Sequence, residues 1–404
     1  MSFRTFSTGI GVGSRRSHVP PAGGAKLKTQ SAHFVDPKYP FQPLPTPNGP
    51  APYRYDLSQL LQAEDIKKIT DTGVMVCHTV GDTGDYRGRQ QDFVADMMVA
   101  DADALAADKK PAFFYHLGDV VYFAGDIDKY GENFYETYKD YPAFIVAIPG
   151  NHDCQPDDPQ DGPVDPHKVP LDGWVQNFMS RDPNQIGSLK TTSTRTQLDL
   201  PNVYWAFTTP LATFVGLFSN VGEIEGEIHQ DQIDWFVGEL KAADPDLALI
   251  VAVHHPPYSG DTEHTGSTAV HKVLTDAFAA AGRVPHLVLS GHVHNYQRFT
   301  VEETGPDGSV ELPYIVAGAG GYTRLGKLQK VQGRYPTAPL DVEDGVRLEA
   351  YDHDNFGFLR LEITKKTITG TYLAAPYQVG RAPDAQEIDG FEVDLAARKV
   401  KTLS

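Results

Sequence analysis

Residues 74–84 read VMVCHTVGDTG, an apolar run that stops at a glycine and an aspartate. Four more polar blocks of this kind lie at the ends of apolar runs further along the chain. The five blocks are GDTG at 81–84, GDVVY at 118–122, GNHD at 150–153, VAVH at 251–254 and GHVH at 291–294. Continuous apolar runs are typical of strands that are covered on both faces. The pattern therefore predicts a layered core whose strands end in polar turns.

The apolar runs predict five strands, and helical patterns lie between them. The strands are residues 74–80, 112–117, 143–148, 247–253 and 287–290, and the helices are residues 92–108, 228–243 and 269–281. Alternation of strand and helix favours an α/β core. Four later β-rich segments predict a second sheet that is antiparallel in part. They are residues 314–316, 358–363, 367–373 and 391–395.

Residues 1–70 differ in composition from the rest and predict a proline-rich N-terminal arm followed by a short helix. Nine prolines fall between Pro20 and Pro52, and proline resists helix because it lacks a backbone donor. Residues 56–69 have an amphipathic helical pattern, with Asp56 as the expected cap. Residues 71–404 are predicted to form one domain. Its insertions, at about 154–201 and 323–350, have the length of lids or binding loops.

The charge balance limits the partners of this chain. There are 35 Lys and Arg residues against 53 Asp and Glu residues, which gives a formal charge of −18. General binding to nucleic acid needs basic patches, and no apolar run approaches the ~18 residues of a membrane span. We therefore expect no general nucleic-acid binding and no membrane insertion. The composition leaves the oligomeric state open.

The N-terminus and the cysteines bear on the cellular compartment. Arg15 and Arg16 suggest a twin-arginine export signal, but residues 18–28 contain no apolar core, which argues against secretion. Cys77 and Cys154 are too few for a disulfide framework and show no CxxC spacing. Reduced thiols are the norm in the cytoplasm, so we expect cytoplasmic localisation.

The polar blocks supply seven candidate metal ligands. They are Asp82, Asp119, Tyr122, Asn151, His254, His292 and His294. In open α/β sheets the carboxyl ends of strands form the ligand-binding crevice, so blocks placed there can face one another. Seven donors suit two ions that share a bridging carboxylate, an arrangement that hydrolyses phosphate esters. Oxygen and imidazole donors without thiolates favour Fe, Mn, Zn or Ni.

The five blocks match, in order and residue type, the motifs GDxG, GDxxY, GNH(D/E), VxxH and GHxH. Through these motifs the chain resembles the purple acid phosphatases, within the calcineurin-like metallophosphoesterase superfamily, over roughly residues 72–375. The resemblance implies a four-layer α/β/β/α sandwich with two mixed β-sheets, and a catalytic domain at 71–404. The implied ligands are Asp82, Tyr122 and His294 for Fe³⁺, Asp119 as the bridge, and Asn151, His254 and His292 for a divalent Fe²⁺, Zn²⁺ or Mn²⁺.

Tyr122 and Gly84 point to this subfamily in particular. An unperturbed tyrosine ionises near pH ~10, so coordination as phenolate calls for a strongly Lewis-acidic ion such as Fe³⁺. Other metallophosphoesterases usually carry a DxH motif in the first block, and this chain has Gly84 where that histidine would stand. The tyrosine thus replaces the histidine at the first metal.

The activity implied by the resemblance is hydrolysis of phosphate monoesters, with a metal-bound hydroxide attacking phosphorus in line. His152 in GNHD and His264 in the loop after VAVHHPP resemble the outer histidines of the family. They would neutralise charge on the phosphoryl oxygens, and one would protonate the leaving oxygen. The alternatives are a phosphodiesterase or nucleotide hydrolase on the same scaffold and a non-catalytic metal-binding scaffold. No ligand is missing from the motifs, which argues against the scaffold.

Several neighbouring residues have structural interpretations. His78 and His116 lie within apolar strands and are predicted to be core histidines with satisfied hydrogen bonds. His255 is expected to form an orienting hydrogen bond. Asp153 either orients the adjacent histidine or binds backbone amides. GAGG at 318–321 lacks the lysine and the helix of a phosphate-binding loop, so close sheet packing is predicted.

Overall fold

The computed structural model of the chain describes residues 27–31, 44–84, 89–155, 169–180, 191–219, 227–306, 308–380 and 383–403. Most of the proline-rich arm, including Arg15 and Arg16, lies outside the described residues. So do residues 156–168 and 181–190 of the first predicted insertion. Among the helices in the described ranges, none has the length and apolar character that a membrane crossing requires.

The strands and helices alternate in the first two thirds of the chain, and strands dominate the last third. The strands are β1 (Gln30–Ser31), β2 (Arg54–Asp56), β3 (Val74–Val80), β4 (Pro111–His116), β5 (Phe144–Ala147), β6 (Trp205–Thr208), β7 (Ala212–Leu217), β8 (Ala248–Val253), β9 (Gly266–Ser267), β10 (Leu287–Ser290), β11 (Tyr296–Gly305), β12 (Gly308–Ala317), β13 (Leu340–Glu343), β14 (Val346–Asp352), β15 (Phe356–Thr364), β16 (Thr367–Ala375), β17 (Gln386–Asp394) and β18 (Lys399–Leu403). The α-helices are α1 (Ala63–Thr72), α2 (Gln90–Ala104), α3 (Ile127–Tyr130), α4 (Asn151–Cys154), α5 (Asp172–Phe178), α6 (Gln230–Ala242) and α7 (Thr268–Ala281).

Sixteen of these strands form two large mixed sheets, and β1 and β9 form a separate two-stranded sheet. The seven-stranded sheet has the order β18-β17-β16-β15-β3-β4-β5, and β3, β4 and β5 within it are parallel. The nine-stranded sheet has the order β13-β14-β11-β12-β10-β8-β7-β6-β2, and β12, β10, β8 and β7 are parallel. The prediction of two mixed β-sheets is confirmed.

The two sheets pack face to face through aromatic side chains, and helices cover their outer faces. Phe113 of β4 lies 5.0 Å from Phe207 of β6, and Tyr115 lies 5.3 Å from Phe214 of β7, measured between ring centroids. Helices α1 and α2 pack on the seven-stranded sheet, and α6 and α7 pack on the nine-stranded sheet. The four-layer α/β/β/α sandwich is therefore confirmed.

The five predicted core strands are β3, β4, β5, β8 and β10, each within one residue of its predicted bounds. The three predicted helices are α2, α6 and α7. The segment 314–316 was wrongly assigned to the second sheet, because β12 pairs with β10 and β11 in the nine-stranded sheet. The other three segments fall in β15, β16 and β17, which continue antiparallel from β3. The predicted insertion at 323–350 contains β13 and the start of β14.

The helix predicted at residues 56–69 is interrupted. Asp56 caps a single 3-10 turn, Leu57–Gln59, and accepts a hydrogen bond from the backbone of Ser58 at 2.9 Å. The Gln59 side chain accepts in return from the backbone nitrogen of Asp56 at 2.8 Å. This reciprocal capping closes the turn on itself. Helix α1 consequently begins at Ala63.

The polar ends of strands from both sheets meet at one edge of the sandwich. The backbone nitrogen of Gly81, after β3, donates to the carbonyl oxygen of Ala317, at the end of β12, at 2.8 Å. The nitrogen of Asp82 donates to the carbonyl oxygen of Gly118, after β4, at 3.0 Å. The first bond crosses from one sheet to the other, so loops from both sheets reach the same place.

A buried ion pair also links the two sheets. Arg298 of β11 is fully buried, and its Nε and Nη2 lie 2.7 and 2.9 Å from the carboxylate oxygens of Asp389 in β17. The Tyr296 hydroxyl donates to the same carboxylate at 2.8 Å. Three hydrogen bonds from one sheet therefore end on a single acidic residue of the other.

We expect Asp389→Ala to lower the free energy of unfolding by about 3–5 kcal/mol, because it leaves the buried guanidinium of Arg298 unpaired. Chemical denaturation measures this change. The matched control is Lys67→Ala, which breaks an exposed pair with Asp71 and should cost less than about 1 kcal/mol. Equal effects for the two variants would show that the buried pair does not stabilise the sandwich.

Candidate metal centre

The structure brings the seven predicted ligands together at the edge where the strands end. Asp82 follows β3, Asp119 and Tyr122 follow β4, Asn151 opens α4 after β5, His254 follows β8, and His292 and His294 follow β10. Each of these strands is parallel to a neighbour, so their carboxyl ends share one edge. Both sheets contribute donors to the cluster.

Asp82, Asp119 and His254 form the centre of the cluster. Each offers a ligand atom, these atoms lie within 4.8 Å of one another, and all three side chains are buried. Two buried carboxylates this close repel each other, and burying their charge is costly unless a cation compensates it. The triad therefore fits a metal ion.

The hydroxyl of Tyr122 faces the same carboxylates. Its Oη lies 2.7 Å from Oδ2 of Asp119, 3.1 Å from Oδ1 of Asp82 and 3.3 Å from Nε2 of His294. A phenol has one proton to donate, so it cannot satisfy two carboxylates and an imidazole at once. Donor atoms at these separations fit a shared cation better than a set of hydrogen bonds.

His254 is oriented so that its neutral ring would present a lone pair to a cation in the cluster. Its Nδ1 lies 2.8 Å from the carbonyl oxygen of Leu117, to which only an N–H can donate. In the neutral imidazole, Nε2 is then an acceptor, although it faces Oδ1 of Asn151 at 3.1 Å and Oδ2 of Asp119 at 3.4 Å. Nδ1 of His292 meets the same Asn151 oxygen at 2.9 Å. A carbonyl that orients the far nitrogen is a common feature of metal-ligating histidines.

Without a cation, bound protons offset part of the negative charge of this cluster. Burial alone would lower the pKa of His254, but the Asp119 carboxylate, the charge of Asp82 and the hydrogen bond to Leu117 together raise it to about 9. Burial alone would raise the pKa of Asp119, but the charges of His254 and His152 lower it instead. Burial raises the pKa of Asp82. The charge of His254 acts in the opposite direction, and the charge of Asp119 raises the pKa further. A bound cation would compete with these protons.

Three of the candidate ligands have a left-handed backbone. The φ angles of Asp82, Asp119 and His292 are +57°, +54° and +67°. Asp and His are enriched in this region relative to other residues with a Cβ, but the conformation still costs energy and clusters at functional sites. The turns after β3, β4 and β10 therefore hold strain where the side chains converge.

Gly84 leaves room for Tyr122. A Cβ at position 84 would lie 2.6 Å from Cδ2 of Tyr122, and 2.7 Å from both the Tyr122 nitrogen and the carbonyl carbon of Val121. A histidine at position 84 cannot share this space with the tyrosine in its present position. Close packing thus explains why glycine and tyrosine occur together here in place of the DxH histidine.

We expect Gly84→Ala to lower the free energy of unfolding by about 1–3 kcal/mol, because the added methyl group displaces the backbone of Tyr122. The same displacement should weaken metal binding, which a metal titration measures alongside chemical denaturation. Gly238→Ala in α6 is the control, since a Cβ there meets nothing within 4 Å. It should stabilise the chain by about 0.5–1 kcal/mol. Wild-type stability and metal binding in Gly84→Ala would refute the packing argument.

The two predicted catalytic histidines lie beside the cluster. The ring centroid of His152 is 4.4 Å from that of Tyr122. The ring centroid of His264 is 4.7 Å from that of His292. The structure thus places both side chains next to candidate ligands, and their catalytic roles stay predictions.

The core histidines are satisfied, as predicted. Nε2 of His78 lies 3.0 Å from Asp101, and its Nδ1 lies 3.1 Å from the Tyr141 hydroxyl. Nε2 of His116 lies 2.8 Å from Oγ1 of Thr83. Both rings are fully buried, so these hydrogen bonds replace water.

The orienting residues also make identifiable contacts. Nδ1 of His255 lies 2.9 Å from Oγ of Ser219, in agreement with a hydrogen-bonding role. Asp153 accepts from the backbone nitrogens of Val120 and Gly150, at 3.0 and 2.8 Å. The structure therefore favours the backbone alternative for Asp153, which braces the turns that carry Asp119 and Asn151.

Tyr322 is a residue at this site that sequence reasoning missed. Its ring centroid lies 4.2 Å from that of His294 and 4.5 Å from that of Tyr122, and its backbone nitrogen donates to the Asp82 carbonyl at 2.9 Å. At Gly318, in the same segment, a Cβ would lie 2.6 Å from Oδ2 of Asp82. The backbone is closely packed at GAGG, but against the loops that carry Asp82 and Val293 and not against a sheet as predicted. The available signal was that GAGG ends the apolar strand β12, as the other blocks end theirs.

The chain is similar to curated proteins and to solved structures. Purple acid phosphatase 21 of Arabidopsis thaliana is 31% identical over 100 residues, a match that covers 24% of this chain and 22% of that protein. The structure of PhoD is 13% identical with a TM-score of 0.51, and the match covers 82% of this chain and 72% of PhoD. A dimetal phosphatase from Danio rerio is 11% identical with a TM-score of 0.44, covering 74% and 95%.

The family follows from a longer match. At 13% identity, the likeness to PhoD shows a shared fold alone. A family model described as Calcineurin-like phosphoesterase matches residues 69–296, which is more than half of the 404 residues and includes all five polar blocks. The chain therefore belongs to the calcineurin-like phosphoesterase family and is a metallophosphoesterase.

Proposed function

We propose that the chain hydrolyses phosphate monoesters at a centre of Fe³⁺ and one divalent ion, Fe²⁺, Zn²⁺ or Mn²⁺, in the manner of purple acid phosphatases. The observation that carries this proposal is the position of Tyr122, whose Oη lies 2.7 Å from Asp119 and 3.1 Å from Asp82. A phenolate among carboxylates suits a strongly Lewis-acidic ion. The 31% identity to a purple acid phosphatase over 100 residues supports the same choice.

The proposal assigns each candidate ligand to an ion. Asp82, Tyr122 and His294 would hold Fe³⁺, Asn151, His254 and His292 would hold the divalent ion, and Asp119 would bridge them. When bound, two such ions supply positive charge to the phosphoryl oxygens and lower the pKa of a water molecule. The carbonyl of Leu117, 2.8 Å from Nδ1 of His254, would keep the other nitrogen of that ring available as a ligand.

His152 and His264 would handle protons and charge on the substrate. Nδ1 of His152 donates to the carbonyl oxygen of Phe123 at 2.8 Å, which leaves Nε2 to face the substrate. In its imidazolium form, His152 would give the Nε2 proton to the leaving oxygen and keep the proton on Nδ1. His264, beside His292, would donate to a phosphoryl oxygen as negative charge develops there. The proposed substrate is a small-molecule phosphoester, because a chain of formal charge −18 would repel an extended polyanion.

Steady-state kinetics tests the choice of substrate class. The protein would be loaded with iron and one divalent metal and assayed with p-nitrophenyl phosphate and bis-p-nitrophenyl phosphate over a wide pH range. We expect the higher kcat/KM for the monoester. A clear preference for the bis-ester would favour the phosphodiesterase or nucleotide hydrolase alternative. Failure to hydrolyse either ester with both metals bound would favour the non-catalytic scaffold.

A further inference from the structure

Residues 27–31 of the N-terminal arm lie against the loop that carries His264. The carbonyl oxygen of Thr29 accepts from the backbone nitrogens of Ser259 and Gly266, at 2.9 and 3.1 Å. Strand β1 pairs in parallel with β9, with Gln30 opposite Gly266. A short segment from the beginning of the chain thus binds both ends of the loop between residues 257 and 266.

Side chains of the arm extend this contact. Leu27 is only 5% exposed and belongs to the apolar cluster that includes the buried face of α7. A Cβ on Gly260 would lie 2.9 Å from Cδ2 of Leu27, so the leucine touches the loop backbone. Nε2 of Gln30 donates to the carbonyl oxygen of Pro257 at 3.0 Å. Both apolar burial and hydrogen bonds therefore hold residues 27–31 against the 257–266 loop.

A buried carboxylate holds the other side of the loop. Oδ1 of Asp261 accepts from the backbone nitrogens of Glu263 and His264, at 2.7 and 3.0 Å, and its Oδ2 accepts from Nδ2 of Asn295 at 3.1 Å. Asp261 is fully buried. Asn295 directly follows the candidate ligand His294. The loop is therefore tied to the metal-binding segment on one side and to the arm on the other.

We propose that residues 27–31 position His264 over the metal centre by holding the 257–266 loop in place. This inference rests on the proposed function, because a role for His264 in hydrolysis belongs to it. The arm accepts hydrogen bonds from two amides of the loop and packs Leu27 against Gly260, so its release removes these contacts from the loop. A catalytic side chain displaced by about 1 Å can lose on the order of 100-fold in rate. The arm is accordingly a positioning element for the reaction.

The test uses point variants of the full chain. Leu27→Asp puts a carboxylate into the buried contact, and Lys28→Asp puts the same group on an adjacent exposed side chain. Each variant is made alone and in a His264→Ala background and assayed with p-nitrophenyl phosphate. Amide hydrogen exchange at Ser259 and Gly266 reports on the loop independently of activity.

We expect Leu27→Asp to lower kcat by about 10- to 100-fold and to speed exchange at both amides, with Lys28→Asp close to wild type. In the His264→Ala background, Leu27→Asp should cause no further loss of rate. An equal loss in that background, or unchanged exchange, would overturn the inference. If Leu27→Asp does not fold, Gln30→Ala removes the bond to Pro257 and should speed the same exchange. A wild type without hydrolysis would defeat the proposed function, and the exchange measurements would still decide whether the arm holds the loop.

Discussion

Asp119→Asn is expected to lower the rate of phosphomonoester hydrolysis by at least about 10³-fold, because metal ions contribute several kcal/mol and each tenfold is about 1.4 kcal/mol. Asparagine fits the backbone conformation and one hydrogen bond of residue 119. Asn tolerates the left-handed backbone of residue 119, φ +54°, and its oxygen can still accept from the nitrogen of His152, now at 2.9 Å. The oxygen that faces Tyr122 and His254 becomes an amide nitrogen, which cannot bind a cation.

The metal dependence of stability provides the second measurement for Asp119→Asn. Added metal should raise the Tm of the wild type, because a ligand that binds the folded state stabilises it, and this rise should be lost in the variant. Metal-free Asp119→Asn should be less stable than the wild type at neutral pH, since it removes the carboxylate that pairs with the buried His254 ring. Asp56→Asn, at a cap where Asn serves as well as Asp, should keep full activity. Wild-type metal content and rate in Asp119→Asn would rule out Asp119 as a bridge.

Tyr122→Phe is expected to abolish the visible absorption of the iron-loaded protein while leaving the fold intact. The phenylalanine ring keeps the packing against His152 and Tyr322, whose centroids lie 4.4 and 4.5 Å away. Burial and the neighbouring carboxylates raise the pKa of Tyr122 well above its usual value. The phenolate therefore forms at neutral pH only with a cation, so chelation should also remove the colour from the wild type.

Tyr322→Phe is the matched control for this experiment. It removes a phenol that lies in the same cluster of rings but is outside the predicted ligand set. We expect it to retain the absorption band and the iron content of the wild type. Loss of the band in Tyr322→Phe, or its persistence in Tyr122→Phe, would assign the colour to a different residue.

The bounds of the core strands could be predicted from the sequence, because they depend on short apolar runs and the residues that end them. Strands β3 and β10 have their predicted bounds, since each is a short apolar run that ends at the residue before a glycine. The sheet to which a strand belongs depends on distant partners. β15 pairs with β3, and β12 pairs with β10, so the four late β-rich segments were divided between the sheets. The pattern of a single segment carries no information on that division.

The candidate site shows the same distinction. Its candidate ligands could be named because each block ends a strand, and strand ends converge in this class of fold. Tyr322 was missed because its place beside His294 depends on how the loop after β12 folds back over the site. The contact of residues 27–31 with the 257–266 loop was equally hidden, since neither segment has a pattern that predicts pairing with the other.

Elemental analysis combined with a visible spectrum, on protein purified without added metal, addresses the assignment of Fe³⁺ to Tyr122. We expect two metal ions per chain, at least one of them iron, and a visible absorption band that disappears in Tyr122→Phe. A colourless protein that contains no iron and still hydrolyses p-nitrophenyl phosphate would contradict the ferric assignment.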